Sequence, residues 1–465
     1  MSACSVHDSE VDRAETAMPD RYVEAGKGTA AAMPEDRWWT VFGDPVLTDL
    51  EERALSGNPD IYAAVARLEQ ARAVYREINA ARFPVIGFQG ESARSRTPSF
   101  FGDVTGGSYR LEFQAGYELD LWQKYKSASD AAGFDANASM EDVKGVYLSV
   151  AAEVASLYFI AVEQRAQMKM VNEIVRAARH TLSFVERRYR AGTVDAVDVY
   201  QARQTLRAAE ARLPLHETQL IHAEHALSLL CGEFPEKGIT GDSDSLDRAF
   251  AIPDIGVPAM LLRRRPDIRK AFQRLKAADA RVASAVADLY PAFRIGGSIG
   301  RSQTLMTSSP IVGGFWNLFA GVTQPIFEGG RRVARVERSR AQFREAVAIY
   351  RKTVMNAVRE VEDAMAACRG SVERIRRLEQ WVSAASNALQ LSGNRYFWGV
   401  SEYLPVLTAQ AAELEAKSQL INARRVHISN FINLAKALGG GWMERMPGIR
   451  EPDSLSLLPE EPVDK

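Results

Sequence analysis

The 465-residue chain has almost no excess charge of either sign: 58 Lys and Arg stand against 59 Asp and Glu, a net charge of −1. A nucleic-acid partner would call for a basic face, so none is expected. Cysteine is scarce as well. Cys4, Cys231 and Cys368 cannot build a disulfide framework, and the last two fall in helical patterns as small apolar side chains. No uninterrupted run approaches the roughly 18 apolar residues of a membrane-crossing helix. That argues against an inner-membrane transporter but leaves a β-barrel open, because barrel strands alternate and signal weakly.

Catalytic sets are missing too. His222 and His225 lie three apart on a predicted helix, but no cysteine or acid completes a metal site, and solvated histidines are the better reading. Gly439 to Gly441 follow a helix, so they cap it and do not cradle phosphate. Arg263 to Arg265 read as a solvated or salt-bridged run. The expectation is a protein that is not an enzyme, with no cofactor and no metal.

What is present is a repeat. Asn58-Pro59-Asp60-Ile61 opens an amphipathic run that stops at Phe83-Pro84, and Arg265-Pro266-Asp267-Ile268 opens another that stops at Tyr290-Pro291. Corresponding residues stand 207 apart, and so do Arg188-Tyr189 and Arg395-Tyr396, Gly192 and Gly399, Ala202 and Ala409, and Gly232 and Gly439. A constant offset over this span marks a tandem duplication. Its period far exceeds the ~20–50 residues of solenoid arrays, so each half is a whole structural unit. The predicted divisions are an N-terminal arm at 1–37, a first repeat at 38–232, a linker at 233–258, a second repeat at 259–442 and a C-terminal tail at 443–465.

Each half orders its elements alike. A helix starts at Asn58, a good N-cap with Pro59 at the first helical position, and ends before Phe83-Pro84. Strand-like segments follow. A proline-free stretch rich in helix formers then runs from Ser127 to Leu213, interrupted once at Gly192. Ser127 to Arg190 alone would span about 95 Å at ~1.5 Å per residue. The second half repeats this from Arg331 to Phe397. Helices of that length need coiled-coil partners or a helical tube to bury their apolar stripe.

The strands separate those two options. Tyr109, Leu111, Phe113, Ala115, Tyr117, Leu119 and Leu121 alternate with Arg110, Glu112, Gln114, Gly116, Glu118 and Asp120. That pattern gives one apolar face and one wet face. Phe293 to Ile299 alternates too, and Val85 to Ala93 and Trp316 to Phe327 do so less cleanly. Four strands of about ten residues suit a tilted membrane span, but four cannot close a barrel and an open edge cannot sit in lipid. Three chains would bring twelve, enough for a water-filled lumen. Tyr109, Tyr117, Trp122 and Trp316 are candidate interfacial aromatics.

These residues resemble a known family. Trp38-Trp39 with Phe42 and Asp44-Pro45, then Asn58-Pro59-Asp60 and Tyr117-Glu118-Leu119-Asp120-Leu121-Trp122, are similar to motifs of the TolC/OprM-type outer-membrane factors. Leu262 to Ile268, Gln324-Pro325-Ile326-Phe327 and Ala437 to Trp442 continue the likeness, which points to the NodT-like lipoprotein efflux branch. The resemblance implies an α+β membrane protein: a homotrimer whose 12-stranded β-barrel in outer-membrane lipid continues into a long α-helical barrel in the periplasm. It also implies a periplasmic adaptor and an inner-membrane transporter, most naturally of the RND type, as partners of a passive export duct for drugs or other small molecules.

The resemblance further places a gate at hairpin tips that turn at Gly192 and Gly399. Relatives close with an Asp of the first tip bonded to a Tyr of the second, and the matching residues are Asp198 and Tyr396. Where relatives carry an acidic ring, this chain has Pro405 and Thr408, so an acidic ring from those places is absent, and Glu402, Asp195 or neither takes over as a ring of like charge. Met1-Ser2-Ala3-Cys4 resembles the start of an acylated lipoprotein, with Met in place of the usual Leu. No charged and apolar leader precedes Cys4, the candidate lipidation site, and a single lipid chain gives only marginal anchoring. Two other readings remain: a type I protein-secretion channel of the same family, and a soluble coiled-coil scaffold.

Overall fold

The computed structural model describes residues 6–11, 18–24, 37–100, 102–246, 257–305, 310–439, 443 and 446. Cys4, Gly440 to Trp442 and nearly all of the C-terminal tail lie outside the described residues. In chain order the elements are α1 (Pro45–Gly57), α2 (Pro59–Ala80), β1 (Val85–Ser99), β2 (Gly102–Leu119), α3 (Lys124–Arg190), α4 (Ala196–Glu210) and α5 (Leu213–Leu230), followed by α6 (Leu261–Arg264), α7 (Pro266–Ala287), β3 (Ala292–Leu305), β4 (Pro310–Thr323), α8 (Arg331–Phe397) and α9 (Leu404–Leu438). Two compact units emerge, and each draws residues from both halves of the sequence: Met1–Thr16, Arg67–Met140 and Lys270–Thr353 in one, Ala17–Ala66, Glu141–Arg269 and Val354–Lys465 in the other.

The first unit holds one antiparallel sheet in the order β1-β2-β3-β4. Its register lines up Phe88, Phe113, Ile299 and Trp316 across all four strands. One step along that face stand Ile86, Ala115, Gly297 and Leu318. The opposite face carries Gln89 beside Glu112, and Gln114 beside Ser298 and Asn317. Side chains alternate between faces along a strand, so the sheet is apolar on one side and mostly polar on the other. Phe88, Leu111, Phe113, Ile299, Trp316 and Leu318 are all exposed on the apolar face.

Several expectations need correction here. The strands run 14 to 18 residues, not ten, because pairing continues past the apolar band into the hairpin ends. β2 stops at Leu119, since the Asp120 carboxylate turns to accept the backbone N–H groups of Tyr125 (3.1 Å) and Lys126 (2.7 Å) and starts α3. β4 lies at 310–323, so Gln324 to Phe327 follow it. Trp316 stands in the middle of the apolar band and not at its border. Trp122 stacks on Tyr290 at 4.9 Å and donates to the Pro291 carbonyl at 2.8 Å. Below the sheet Leu275, Ala278, Val282 and Phe343 form a small core with Phe272 and Tyr350 around it.

The second unit is helical. Asp44 caps α1 through bonds to the N–H groups of Val46 and Leu47, and Asn58 caps α2 through those of Asp60 (2.8 Å) and Ile61 (3.3 Å). Trp38 and Trp39 are buried, and Phe42 packs edge-on against Phe159 of α3 and Phe431 of α9. α3 and α8 are 67 residues each, about 100 Å of helix. α3 carries one 18-residue window apolar enough in composition to cross a bilayer, which a search for uninterrupted apolar runs passes over; 61% of it is buried against the chain itself. The first repeat breaks its return helix between α4 and α5, where Pro214 offers no N–H. Ile421 holds the matching place in α9, which continues unbroken for 35 residues.

The duplication is visible in contacts as well as in sequence. The Asn58 amide donates to the Leu230 carbonyl at 2.9 Å, and the Arg265 guanidinium donates to the Ala437 carbonyl at 2.9 Å. Both pairs are the same two positions shifted by 207. Gly232 and Gly439 end their helices at φ +77° and +68°, and a Cβ on either would meet a backbone oxygen at 2.2 or 2.8 Å. In the run read as solvated or salt-bridged, Arg263 and Arg264 are exposed, while Arg265 is buried and paired with Asp267 and Glu360, each at 2.7 Å.

Candidate functional site

The ends of the long helices form the candidate site. α3 and α8 stop through the same backbone motif. The N–H of Gly192 bonds the Tyr189 carbonyl (2.9 Å) while Thr193 bonds that of Arg188 (3.0 Å). Gly399 and Val400 repeat this on Tyr396 (3.0 Å) and Arg395 (2.9 Å). This pair of bonds satisfies helix-end carbonyls and requires a left-handed residue. The glycines supply it, at φ +71° and +70°.

Side chains from both tips then pack together. Val185, Val199, Ala202, Tyr396, Tyr403 and Val406 form a buried cluster, with Phe184 and Leu182 against it. Tyr396 and Tyr403 lie with ring centroids 5.0 Å apart. The Tyr396 hydroxyl donates to the Asp198 carboxylate at 3.4 Å, a long bond that joins the second tip to the first. Arg188 makes a shorter one: its guanidinium donates to the Tyr396 carbonyl at 2.9 Å and lies over the Tyr396 ring at 5.3 Å. Burial, reinforced by the Asp198 carboxylate against the opposing Arg188 charge, pushes the Tyr396 phenol up to about 12. Burial, reinforced by the neighbouring Tyr396 phenol and then by the Asp198 carboxylate, pushes Tyr403 up to about 12.

Asp198 and Tyr396 are therefore brought together, and the other candidates are not. Asp195 precedes α4 without capping it through its side chain, and both it and Glu402 are exposed. Thr408 is exposed, with its hydroxyl turned back onto the carbonyls of Leu404 (3.3 Å) and Pro405 (3.0 Å) in its own helix. Sequence reasoning missed Arg188 and Tyr403. The repeated Arg-Tyr pair was the available signal for Arg188, but it does not say which copy turns inward. Among the described residues no group of histidine, cysteine or acid side chains is placed to hold a metal ion.

Comparison with known proteins fits this architecture. The family model described as outer membrane efflux protein matches residues 50–233 and again 257–440, two stretches that are themselves 207 apart. The chain belongs to that family. As an outer membrane efflux protein it is a channel of the bacterial outer membrane that extends into the periplasm, which sets aside the soluble scaffold. It is 31% identical over 430 residues to the pyoverdine export outer membrane protein OpmQ of Pseudomonas putida, covering 90% of this chain and 91% of the relative. To the cation efflux system protein CusC of Escherichia coli it is 28% identical over 411 residues, covering 88% of each. Among solved structures, the outer-membrane channel OprN superposes with a TM-score of 0.86 at 26% identity, covering 95% of this efflux protein and 100% of that chain.

Proposed function

We propose that three copies of this chain close one twelve-stranded barrel, and that the tips of α3/α4 and α8/α9 gate its periplasmic entrance. The observation that carries the reading is the sheet itself. β1 and β4 are unpaired edges on a sheet whose one face is apolar and exposed. Lipid offers no partner for the backbone groups of an edge, so a lipid-embedded sheet must close. Four strands are too few, while three copies bring enough to enclose water. We place the repeats at 38–232 and 259–442.

The duct is passive in this reading. Outer-membrane lipid meets the apolar face, and the polar face lines the lumen. A periplasmic adaptor docks the chain to an inner-membrane transporter, of the RND type, which supplies the energy. Drugs or other small molecules then pass through a continuous solvent-filled tube. The names of relatives mention cargoes as unlike as pyoverdine and cations, which suits a conduit whose selectivity resides in the pump. The gate opens like an iris as the tips part, breaking the Asp198–Tyr396 and Arg188–Tyr396 contacts. Asp195 and Glu402 remain exposed carboxylates available for a ring of like charge.

Protein mass per particle in mild detergent, measured by light scattering corrected for bound detergent, tests the reading. Three chains are expected. A stable monomer or dimer that needs no detergent would leave the sheet open and overturn it.

A further inference from the structure

We propose that Arg395 staples one copy to the next: its guanidinium docks on the backbone carbonyl of Tyr189 of the partner subunit, making a seam weaker than the one inside each chain and the first to part. The proposal rests on the trimer of the preceding subsection. In a ring of three duplicated chains every first repeat has a second repeat on both sides. One neighbour belongs to its own chain and the other to the next. The seam inside the chain is visible, and the offset of 207 translates it into the seam between chains.

Inside the chain Arg188 of the first tip reaches the Tyr396 carbonyl of the second. The translated pair is Arg395 of the second tip and Tyr189 of the first. Both are presented outward: Arg395 is exposed, with no ion pair or side-chain hydrogen bond among the described residues, and Tyr189 is 50% exposed. A carbonyl oxygen has two lone pairs. That of Tyr396 accepts both the Gly399 N–H (3.0 Å) and Arg188 (2.9 Å), whereas that of Tyr189 accepts, among the described residues, the Gly192 N–H alone (2.9 Å). A Cβ on Gly399 would meet the Arg188 Nη2 at 3.7 Å, and one on Gly192 would meet nothing within 4 Å. The docking surface on the first tip is therefore built and open, and an arginine identical in position is turned outward on the second.

The supporting residues are not duplicated. Asp198 translates to Pro405, Tyr403 to Ala196, Phe184 to Leu391 and Thr193 to Val400. The seam between chains keeps the guanidinium on its carbonyl. It lacks the carboxylate for the phenol, the ring packed on the tyrosine (5.0 Å inside the chain) and the hydroxyl that accepts from Arg188 Nε (3.4 Å). Fewer contacts place the first parting between chains, before the Asp198–Tyr396 and Arg188–Tyr396 contacts inside each chain give way.

A benzophenone amino acid at position 189 of the full chain, photolysed in the detergent-solubilised particle, tests this. Expected is a band of two linked chains on a denaturing gel, with the cross-link mapped to residues 391–400. Arg395→Ala should raise closed-state conductance several-fold while leaving the mass at three chains. Particles of three chains that give no linked pair, or a link mapped elsewhere, overturn the staple and leave the trimer standing. So does unchanged conductance in Arg395→Ala. A mass other than three chains removes the trimer first.

Discussion

Where α2 and α7 begin, the two repeats meet one need with different side chains; at the tips they keep the side chains and turn them differently. At the helix starts a carbonyl near the end of each repeat must be satisfied. An amide serves in the first repeat (Asn58 to Leu230) and a guanidinium in the second (Arg265 to Ala437), both at 2.9 Å. At the tips Arg-Tyr occurs twice, yet Arg188 and Tyr396 face inward while Arg395 and Tyr189 face out. Packing constrains the first place through the backbone, so side chains were free to change. At the second, identical residues take different surroundings: Arg188 and Tyr396 meet on the chain's own seam, and Arg395 and Tyr189 stand exposed.

The largest effect expected from that comparison lies at the helix starts. Arg265 is 7% exposed and bridges Asp267, Glu360 and the Ala437 carbonyl. Arg265→Ala should cost about 2 kcal/mol, because the buried Ala437 carbonyl loses its charged donor while the half-exposed Asp267 and Glu360 return to water. Asn58→Ala removes a cap and one carbonyl bond and should cost about 1 kcal/mol. Thermal unfolding in detergent reads the order. Equal losses would show that the carbonyl alone matters and that the added ion pairs contribute nothing.

Next comes a position where the repeats differ without a shared need. Glu51 of α1 is 0% exposed, and neither carboxylate oxygen has a hydrogen-bond partner among the described residues. Pro258 holds the matching place in the second repeat. Burial drives the Glu51 pKa well above its ordinary value. A pKa raised on folding gives stability that is complete below the unfolded value and lost as pH rises through the folded one. Glu51→Leu should therefore stabilise by about 1–3 kcal/mol, more at pH 8 than at pH 5. A melting temperature equal to the parent's at both pH values would refute the burial cost.

Much of this architecture was legible because it rests on local rules. Asn58-Pro59 announced a capped helix, and period two in Tyr109 to Leu119 announced a two-faced strand. What stayed hidden depends on contacts distant in sequence. Nothing in Arg263-Arg264-Arg265 says that only the third is buried, since its partners, Glu360 and the Ala437 carbonyl, lie 95 and 172 residues away. Trp316 reads as an interfacial residue until the register places it beside Ile299 at mid-strand. The pairing of Asp198 with Tyr396 came from family resemblance and not from spacing, and the 3.4 Å bond is consistent with it. Arg188, the shorter link, was masked by its own duplicate.

At the tips the two links across the chain's own seam can be ranked by size. Both bonds are charge-assisted, so length ranks them: 2.9 Å for Arg188 against 3.4 Å for the phenol, which lies beyond the usual hydrogen-bond range. Arg188→Ala should loosen the closed state by about 1.5 kcal/mol and Tyr396→Phe by about 0.5 kcal/mol. Single-channel conductance of the closed protein reads both. A larger leak from Tyr396→Phe would make the phenol, and not the guanidinium, the principal latch.

Alkaline pH gives the smallest effect and separates the two seams without mutation. Burial pushes the phenols of Tyr396 and Tyr403 up to about 12, against an ordinary value of 10.0. Their contribution is complete below pH 10 and falls away as pH rises toward 12. At pH 10 the loss is only about 0.4 kcal/mol per tyrosine, the value of half-ionising a free phenol. Tyr189 and Ala196 stand at the matching places on the first tip, so the proposed seam between chains has no second buried phenol to titrate. Hydrogen exchange at the tips should therefore rise between pH 10 and 11 at the amides of 198–202 and 396–406, and Tyr403→Phe should flatten that rise. A rise of equal slope in Tyr403→Phe would place the alkaline sensitivity in another group and remove this phenol from the difference between the seams.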